Sequence, residues 1–394
     1  MTAFNPFALY VHIPFCTAKC TYCDFNSYAG QDSMMTPYAE AMAKEARLWS
    51  AHVAGRRAET VFFGGGTPSL LPLPEMRVIV EALQRYFDIA ADAEISLEAN
   101  PGTVDASHLA GLRELGFNRI SFGVQSFHDD ELRTMERIHD ADAVEQAYAW
   151  AREAGFENVN LDLIYGLAEQ TLEGWQGNLE RALAMAPEHL SLYALTLEDG
   201  TPLTRDVARG RSAGPDLDLQ ADMFEWSIER MKRSGYAHYE VSNWARPGRE
   251  CRHNLVYWRN GDWLGLGAGA HSHLFDQRFA DAASPSRYIA LVGESEASAG
   301  DPLGAMRQVG MREEADQARE MSETAFLALR LREGLDIAAF EERFGVLFER
   351  VFGDALRETQ SLGLTEVSSG RLRLRDEAVL LGDEAFIRFL SPAT

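Results

Sequence analysis

The stretch LYVHIPFCTAKCTYC, residues 9–23, decides how the rest of the chain is interpreted. It opens with Leu9–Ile13, a short apolar run typical of a buried strand, and Pro14 ends that strand. Cys16, Cys20 and Cys23 follow directly, which places three thiols on one loop at the end of the first strand. They are three of only four cysteines, and crowding of this kind indicates metal binding rather than a disulfide framework.

Strand-like and helix-like segments alternate from about residue 8 to about residue 235. The predicted strands are Leu9–Ile13, Thr60–Phe63, Glu94–Ala99, Arg119–Val124, Asn158–Ile164 and His189–Leu195. The predicted helices between them are Pro37–Val53, Pro74–Phe87, Asp105–Leu115, Asp142–Ala154 and Leu172–Ala184. Such alternation predicts βαβ units with a parallel sheet. We therefore expect an α/β fold, a partial (β/α)6 TIM-like barrel with its site at the C-terminal strand ends. Periodicity alone leaves a doubly wound sheet as the alternative.

The later part of the chain predicts less regular structure. The expected elements are a loop at Leu203–Pro215, helices at Leu217–Arg233, Ser322–Arg332 and Ile337–Phe344, a linker or surface loop at Glu294–Asp301, and a hairpin of Leu364–Val367 with Leu372–Leu374. We expect residues 1–240 to form the barrel and residues 241–300, which are rich in aromatic residues and glycine, to extend it. Residues 301–394 are expected to form a small C-terminal α/β domain of winged-helix type.

Composition excludes several classes of function. The net charge of −23 disfavours a broad electrostatic contact with nucleic acid. No run of about 18 uncharged apolar residues is present, so no integral membrane segment is expected. The first residues lack the basic flank and apolar core of a signal peptide, and we expect a cytoplasmic protein.

The three clustered thiols leave a choice of metal. Three thiolates from one loop can hold three irons of a cubane cluster and leave the fourth iron open for another ligand. A structural zinc site with Cys251 as a distant fourth ligand is the alternative, although zinc sites usually show two short cysteine pairs. A thioredoxin-like pair would leave the third cysteine unexplained.

The CxxxCxxC spacing, with Tyr22 before the last cysteine, resembles the signature of radical S-adenosylmethionine (SAM) proteins. The flanking YVHIPFC and the later GGGTPS resemble the branch that contains oxygen-independent coproporphyrinogen dehydrogenases and heme chaperones. The resemblance implies a [4Fe–4S] cluster on Cys16, Cys20 and Cys23, whose open iron chelates the methionyl amine and carboxylate of SAM. In that family an electron from the cluster then cleaves the sulfonium.

The same resemblance implies a SAM pocket at successive strand ends. Taken alone, the glycine-rich loop after the second strand is a tight turn, and each later polar residue is an ordinary solvated or hydrogen-bonded group. Their repetition at strand ends favours a site. In similar proteins the matching positions line the cofactor, and here they are Tyr10, Tyr22, Gly65, Gly66, Thr67, Glu98, Gln125, Arg137 and Asp162. Arg137 is expected to pair with the cofactor carboxylate.

The segment HNLVYW, residues 253–258, is the second distinctive motif. Histidine is a common axial ligand of heme iron, although a lone histidine is usually only a hydrogen-bonded group. The segment resembles the HNxxYW motif of heme chaperones in this branch, and this makes His253 the candidate heme ligand. Cys251 is an alternative ligand or simply a small buried residue. Gly265, Gly267 and Gly269 are expected to let the backbone pass close to the barrel mouth.

Three functions remain open: a heme chaperone, a coproporphyrinogen III dehydrogenase, and a radical enzyme with another substrate. The dehydrogenase pattern has a further cysteine two residues after Cys23, where this chain has Phe25, and only fifteen residues precede Cys16. We therefore expect a heme chaperone, with heme-accepting respiratory proteins and a possible second copy of the chain as partners. Whether the chain is also an enzyme stays open.

Overall fold

The computed structural model describes residues 6–296, 302–314 and 316–390. It forms two compact units, Met1–Ser227 with Asp262–Glu313 and Ile228–Gly261 with Glu314–Thr394. This division differs from the segments expected from sequence, because residues after Gly261 return to the first unit as a strand. In the expected linker Glu294–Asp301, Glu294 ends a helix, and residues 297–301 lie outside the described part.

Strands and helices are numbered along the whole chain, so numbers missing from the first unit belong to the second. Its strands are β1 Pro6–Ile13, β2 Phe15–Cys16, β3 Tyr28–Ala29, β4 Arg57–Gly65, β5 Asp88–Ala99, β6 Arg119–Gln125, β7 Val159–Tyr165, β8 His189–Ala194, β11 Trp263–Leu266, β12 His271–Leu274, β13 Gln277–Asp281 and β14 Val309–Glu313. Its helices are α1 Met35–Ser50, α2 Leu73–Tyr86, α3 Ala106–Glu114, α4 Asp129–Thr134, α5 Ala141–Glu153, α6 Leu172–Ala184, α7 Pro202–Ala208, α8 Leu217–Arg233, α10 Pro285–Glu294 and α11 Pro302–Ala305, with the last turns of α8 in the second unit.

The six predicted parallel strands are present and stand side by side in chain order, β1-β4-β5-β6-β7-β8. A doubly wound sheet reverses its strand order at a switch point, and this sheet does not. The partial barrel is therefore confirmed and the alternative is wrong. On the other side of β1, β11 pairs in parallel, with Ala8 opposite Trp263, and β12, β13 and β14 follow antiparallel.

The barrel strands alternate between two kinds of residue. Apolar side chains such as Leu97, Ile120 and Leu161 are fully buried on one face of the sheet. Since successive side chains point to opposite faces of a strand, the residues between them lie on the other face, and many of these are polar. The C-terminal ends of the six strands meet at one edge, which is where the cysteine loop leaves β1.

The second unit is a small α/β body. Its strands are β9 Ala237–Glu240, β10 Asn243–Ala245, β15 Leu335–Asp336, β16 Thr365–Ser368 and β17 Arg371–Leu374, and its helices are α9 Arg252–Trp258, α12 Gln317–Ala328, α13 Ile337–Phe344, α14 Phe348–Ser361 and α15 Gly382–Phe386. β17 lies between β15 and β16, which confirms the predicted hairpin. Phe340, Phe348, Phe352 and Phe389 pack as the core of this unit.

Two local predictions were wrong. The segment Leu203–Pro215 was expected to be a loop, but its first half forms α7, which begins with Pro202 after the Thr201 cap. The helix expected at Ser322–Arg332 is present, but its bounds were wrong: it runs from Gln317 to Ala328, because Asp316 caps its first turn. In the part of the chain that the structure describes, no helix is long and apolar enough to cross a membrane.

Candidate functional site

The cysteine loop, residues 16–28, runs from β2 to β3, and backbone pairing of these two strands holds its two ends together. Cys16 is the last residue of β2, and β2 pairs with β3 at the far end of the loop. The Tyr28 amide donates to the Pro14 carbonyl at 2.7 Å. Cys16 is buried, whereas Cys20 and Cys23 are half-buried, and all three are free thiols. The first strand therefore presents three thiols on a loop whose two ends are held together.

Side chains from outside the motif anchor this loop. The Asn26 amide donates to the Ala268 carbonyl at 2.9 Å and to the Ala283 carbonyl at 3.0 Å. His12 Nε2 pairs with the Asn26 carbonyl at 2.9 Å, and the Tyr38 hydroxyl donates to the His12 carbonyl at 2.8 Å. Sequence reasoning missed these three residues, because their partners are distant in the chain.

The surroundings of the thiols fit the cluster that was predicted. Thr67 Oγ1 lies 3.5 Å from Cys16 Sγ, and Arg137 Nη1 lies 3.5 Å from Cys20 Sγ, so both thiols have donors directed at sulfur. Burial raises the pKa of the Cys23 thiol. Among the described residues no three His, Cys, Asp or Glu side chains are grouped to hold one metal ion. A cubane does not need such a group, since each thiolate binds its own iron.

The glycine-rich loop after β4 lies directly against the cysteine loop. The Gly66 and Thr67 amides donate to the Ile13 and Phe15 carbonyls, both at 2.8 Å. A Cβ atom on Gly66 would come 2.7 Å from the Phe15 carbonyl oxygen and 3.1 Å from Cys16 Sγ. Gly65 has φ of 115°, a conformation that favours glycine. Close approach, rather than a generic tight turn, explains the glycines here.

Glu98 joins this loop from the end of β5. Its carboxylate accepts from the Gly65 amide at 3.2 Å. Burial, reinforced by the charge of Asp162, raises the pKa of Glu98 to about 8, against the lowering effect of the Gly65 amide and Arg119. The Tyr10 hydroxyl pairs with His12 Nδ1 at 3.0 Å, and burial raises the pKa of Tyr10.

Asp162 lies in a buried hydrogen-bond network inside the barrel. It accepts from the Ser121 hydroxyl and from the Asn160 amide, both at 2.8 Å. The Asn160 side-chain amide also donates to the Ser121 hydroxyl at 2.7 Å, and its side-chain oxygen Oδ1 pairs with His189 Nδ1 at 2.6 Å. Sequence reasoning missed Ser121, Asn160 and His189. The signal was present as polar–apolar–polar triplets on four successive strands: SLE at 96–98, RIS at 119–121, NLD at 160–162 and HLS at 189–191.

The remaining predicted residues of the pocket come from β6 and the segment after it. Gln125 ends β6 with φ of 67°, an uncommon conformation for a residue other than glycine and one that is found at functional sites. Arg137 donates to the Gly123 carbonyl at 2.7 Å and lies 3.4 Å from the Tyr22 hydroxyl. Arg137 thus lies beside Cys20 as well as beside Tyr22 of the predicted pocket, an arrangement that the sequence did not suggest.

His253 belongs to the second unit and is fully buried on the short helix α9. Its Nε2 pairs with the Tyr257 hydroxyl at 2.9 Å, and the two rings are edge to face at 5.0 Å. Cys251, just before α9, is also fully buried. In this conformation neither side chain is presented to a heme. Ligation through Nε2 would require the His253 ring to leave Tyr257, and ligation through either nitrogen would require the ring to become accessible.

Gly267, between β11 and β12, lets the backbone pass close to another segment, as expected from the sequence. Its φ is 106°, and a Cβ atom there would lie 2.6 Å from the Tyr38 hydroxyl and 2.7 Å from the His12 carbonyl oxygen. The loop therefore passes close to the end of β1, within the first unit. The buried Glu45 accepts from the Gly267 amide at 2.9 Å and fixes this approach.

Comparisons with known proteins give the family. A model of the radical SAM superfamily matches residues 10–182, and a model of the HemN C-terminal domain matches residues 315–381. The heme chaperone HemW of Bacillus subtilis is 35% identical over 382 residues, which cover 97% of this chain and 98% of that protein. The chain belongs to the HemW family of radical SAM proteins. Heme chaperone HemW of Mycobacterium tuberculosis is 37% identical, with 95% of this chain and 94% of that protein covered.

A solved structure supports the same fold. Coproporphyrinogen III oxidase (HemN) from Escherichia coli, described as a radical SAM enzyme, superimposes with a TM-score of 0.83 and 27% identity. The superposition covers 98% of this chain and 90% of HemN. Membership of the HemW family brings a [4Fe–4S] cluster and SAM as cofactors, and three free thiols on one loop, two of them with donors directed at sulfur, suit the cluster.

Proposed function

We propose that the chain is a heme chaperone, which binds heme and delivers it to respiratory proteins while carrying a [4Fe–4S] cluster and SAM. The observation that carries this proposal is the match to proteins named heme chaperone HemW along 97% of the chain, far beyond the cluster motif. Three free thiols on one short loop suit a reducing compartment, and we propose that the protein is cytoplasmic.

In this proposal Cys16, Cys20 and Cys23 hold the cluster. The SAM pocket is formed by Tyr10, Tyr22, Gly65, Gly66, Thr67, Glu98, Gln125, Arg137 and Asp162. When bound, the two cofactors together supply one-electron cleavage of the sulfonium. The chain's own contribution is the arrangement of donors and charges: Arg137 brings a cation to Cys20 and Tyr22, and Glu98 and Asp162 bring carboxylates to the strand ends.

Heme is proposed to bind through His253. Because His253 is buried and its Nε2 is paired with Tyr257, ligation of iron through Nε2 must break that hydrogen bond and expose the ring. The Tyr257 hydroxyl therefore competes with iron for the same nitrogen. Removing the hydroxyl should make His253 easier to recruit.

The test is a hemin titration of the anaerobically reconstituted full chain, followed by the Soret band. Wild type should shift the band, His253→Ala should lose the shift, and Tyr257→Phe should bind faster or more tightly. His238→Gln is a matched control, since His238 is a half-buried histidine of the same unit that stacks on Trp244. If wild type gives no shift, the chaperone proposal fails. If His253→Ala keeps the wild-type spectrum and affinity, only the ligand assignment fails.

The likeness to HemN makes coproporphyrinogen III dehydrogenase the second candidate function. Phe25, which stands where the dehydrogenase pattern has its further cysteine, is 60% exposed beside the cluster loop. Incubation with coproporphyrinogen III, a reductant and SAM should give no protoporphyrinogen IX. Its appearance would establish the enzyme activity. Delivery is tested separately, by transfer of the Soret signal from heme-loaded protein to an apocytochrome.

A further inference from the structure

His12 lies in the YVHIPFC stretch, between the proposed SAM-pocket residue Tyr10 and the cysteine loop. It shares a face of β1 with Tyr10, because alternate side chains of a strand point the same way. Only 5% of its surface is exposed, and each of its ring nitrogens has a partner. Nδ1 pairs with the Tyr10 hydroxyl at 3.0 Å, and Nε2 pairs with the Asn26 backbone carbonyl at 2.9 Å. One imidazole therefore joins the proposed SAM pocket to the cysteine loop.

The two partners of His12 determine where its proton lies. A backbone carbonyl can only accept, so Nε2 carries the hydrogen that the Asn26 carbonyl receives. Burial lowers the pKa of His12, so near neutral pH the ring is uncharged and Nδ1 has a lone pair. The Tyr10 hydroxyl must then donate to Nδ1, and towards any other group its oxygen can only accept. Lone pairs on Tyr10 suit SAM, which carries a sulfonium and an ammonium group.

Two further contacts hold His12 in place. A Cβ atom on Gly65 would lie 2.6 Å from Cε1 and 2.9 Å from Nε2 of His12, so the imidazole packs directly against the glycine-rich loop. The His12 carbonyl accepts from the Tyr38 hydroxyl at 2.8 Å, and the Tyr38 oxygen accepts from the Ala268 amide at 2.7 Å. His12 is thus fixed by its backbone and by its ring, and it contacts Tyr10, the glycine-rich loop and the cysteine loop.

We propose that His12 is a positioning residue, which sets Tyr10 as a hydrogen-bond acceptor for SAM and holds the cysteine loop through the Asn26 carbonyl. This inference rests on the proposed SAM-binding role of Tyr10 and on the proposed cluster. His12 itself binds neither group, since both of its ring nitrogens are engaged by the protein. An imidazole suits the position because one rigid, uncharged ring donates at one nitrogen and accepts at the other.

Two substitutions separate the two bonds of the ring. In His12→Asn the side-chain oxygen takes the place of Nδ1 and keeps an acceptor for Tyr10, but no donor reaches the Asn26 carbonyl. In His12→Gln the amide nitrogen takes the place of Nε2 and keeps that donor, but the acceptor at Nδ1 is lost. SAM affinity is measured by anaerobic equilibrium dialysis of the reconstituted full chain. Cluster stability is measured as the rate of absorbance loss in air.

Each variant should be impaired in one assay. His12→Gln should weaken SAM binding about fivefold, as expected for the loss of one hydrogen bond, and lose its cluster at the wild-type rate. His12→Asn should lose its cluster about fivefold faster and bind SAM as the wild type does. Tyr10→Phe removes the hydroxyl from the same bond and should weaken SAM binding as much as His12→Gln does.

The control is His273→Gln, at another buried histidine of the first unit, whose ring lies 5.2 Å from that of Trp263. It should lower the melting temperature and leave both assays unchanged. Wild-type SAM affinity in His12→Gln, or equal impairment of both His12 variants in both assays, overturns the inference. If a His12 variant does not fold, wild-type SAM affinity in Tyr10→Phe overturns it. If the wild-type chain binds no SAM, the proposed SAM role itself fails.

Discussion

Replacing Gly66 with alanine should displace the cysteine loop and weaken its binding of an iron–sulfur cluster. In Gly66→Ala the new Cβ would lie 2.7 Å from the Phe15 carbonyl oxygen, 2.9 Å from the Pro14 carbonyl carbon and 3.1 Å from Cys16 Sγ. Two of these atoms are backbone and cannot rotate away. The Gly66 amide is itself bonded to the Ile13 carbonyl, so the strain must displace the segment that carries Cys16.

The size of the effect follows from these distances. The backbone contacts are about 0.7 and 0.5 Å shorter than the 3.4 Å at which ordinary contact begins. Overpacking of this kind costs about 2–3 kcal/mol of unfolding free energy. For a unit of this size that corresponds to a fall of roughly 5–10 °C in melting temperature. Iron and sulfide bound after anaerobic reconstitution should fall below half of the wild-type content.

A matched substitution separates crowding from a general loss of glycine. Gly177, inside α6, has its nearest neighbour at 3.6 Å, so Gly177→Ala should be accommodated and should stabilise the protein by about 0.4–1 kcal/mol. Both variants are measured by thermal melting of the apoprotein and by iron and sulfide assays. A Gly66→Ala protein with wild-type melting temperature and full cluster content would refute the argument from close approach.

Three further outcomes are expected. Burial, then the charge of Glu45, raises the pKa of Asp281 well above its usual value, so stability falls as pH rises above about 4. Asp281→Asn mimics the protonated acid, so its melting temperature should exceed that of the wild type by more at pH 8 than at pH 5. An equal difference at both pH values would contradict a raised pKa for Asp281. Asn26→Ala loses the hydrogen bonds to the Ala268 and Ala283 carbonyls, and it should lower the free energy of unfolding by about 1–2 kcal/mol and speed loss of the cluster absorbance in air. An unchanged rate of absorbance loss would show that these bonds do not anchor the loop. SAM affinity of the wild type, measured by equilibrium dialysis, should rise as pH passes about 8, where Glu98 loses its proton and becomes a better partner for the cationic cofactor. Glu98→Gln should abolish this rise, and a persisting slope would assign the titration to another group.

Features encoded within a few residues were predictable from the sequence. The six barrel strands are short apolar or alternating runs, and five of them appear within three residues of their predicted bounds, whereas β5 begins at Asp88 instead of Glu94. The cysteine loop needs only one strand and one turn, so its placement followed from spacing alone. The polar interior was also visible, as the alternation in segments such as RIS at 119–121, but it was interpreted only at the strand ends.

Features that depend on distant partners were not predictable. β11 has the sequence WLGL, with a glycine inside a four-residue strand, and nothing local indicates that it pairs with β1. The anchoring of Asn26 by the carbonyls of Ala268 and Ala283 is equally non-local. His253 has a motif but no local sign of burial, and its pairing with Tyr257 became visible only on the folded helix. The start of α7 is different, because Thr201 and Pro202 are a capping signal that was overlooked.

The pairing of β1 with β11 has a consequence for the order of events during synthesis. Ala8 and Trp263 are neighbours in the sheet, and the Asn26 side chain donates to the carbonyls of Ala268 and Ala283. The cysteine loop therefore leaves the ribosome long before the segments that secure it, and such late contacts are slow to form. A nascent chain that stops before residue 262 contains Cys16, Cys20 and Cys23 but lacks the strand and the acceptors that hold their loop. If these cysteines hold the proposed cluster, we expect its stable insertion to require the completed first unit.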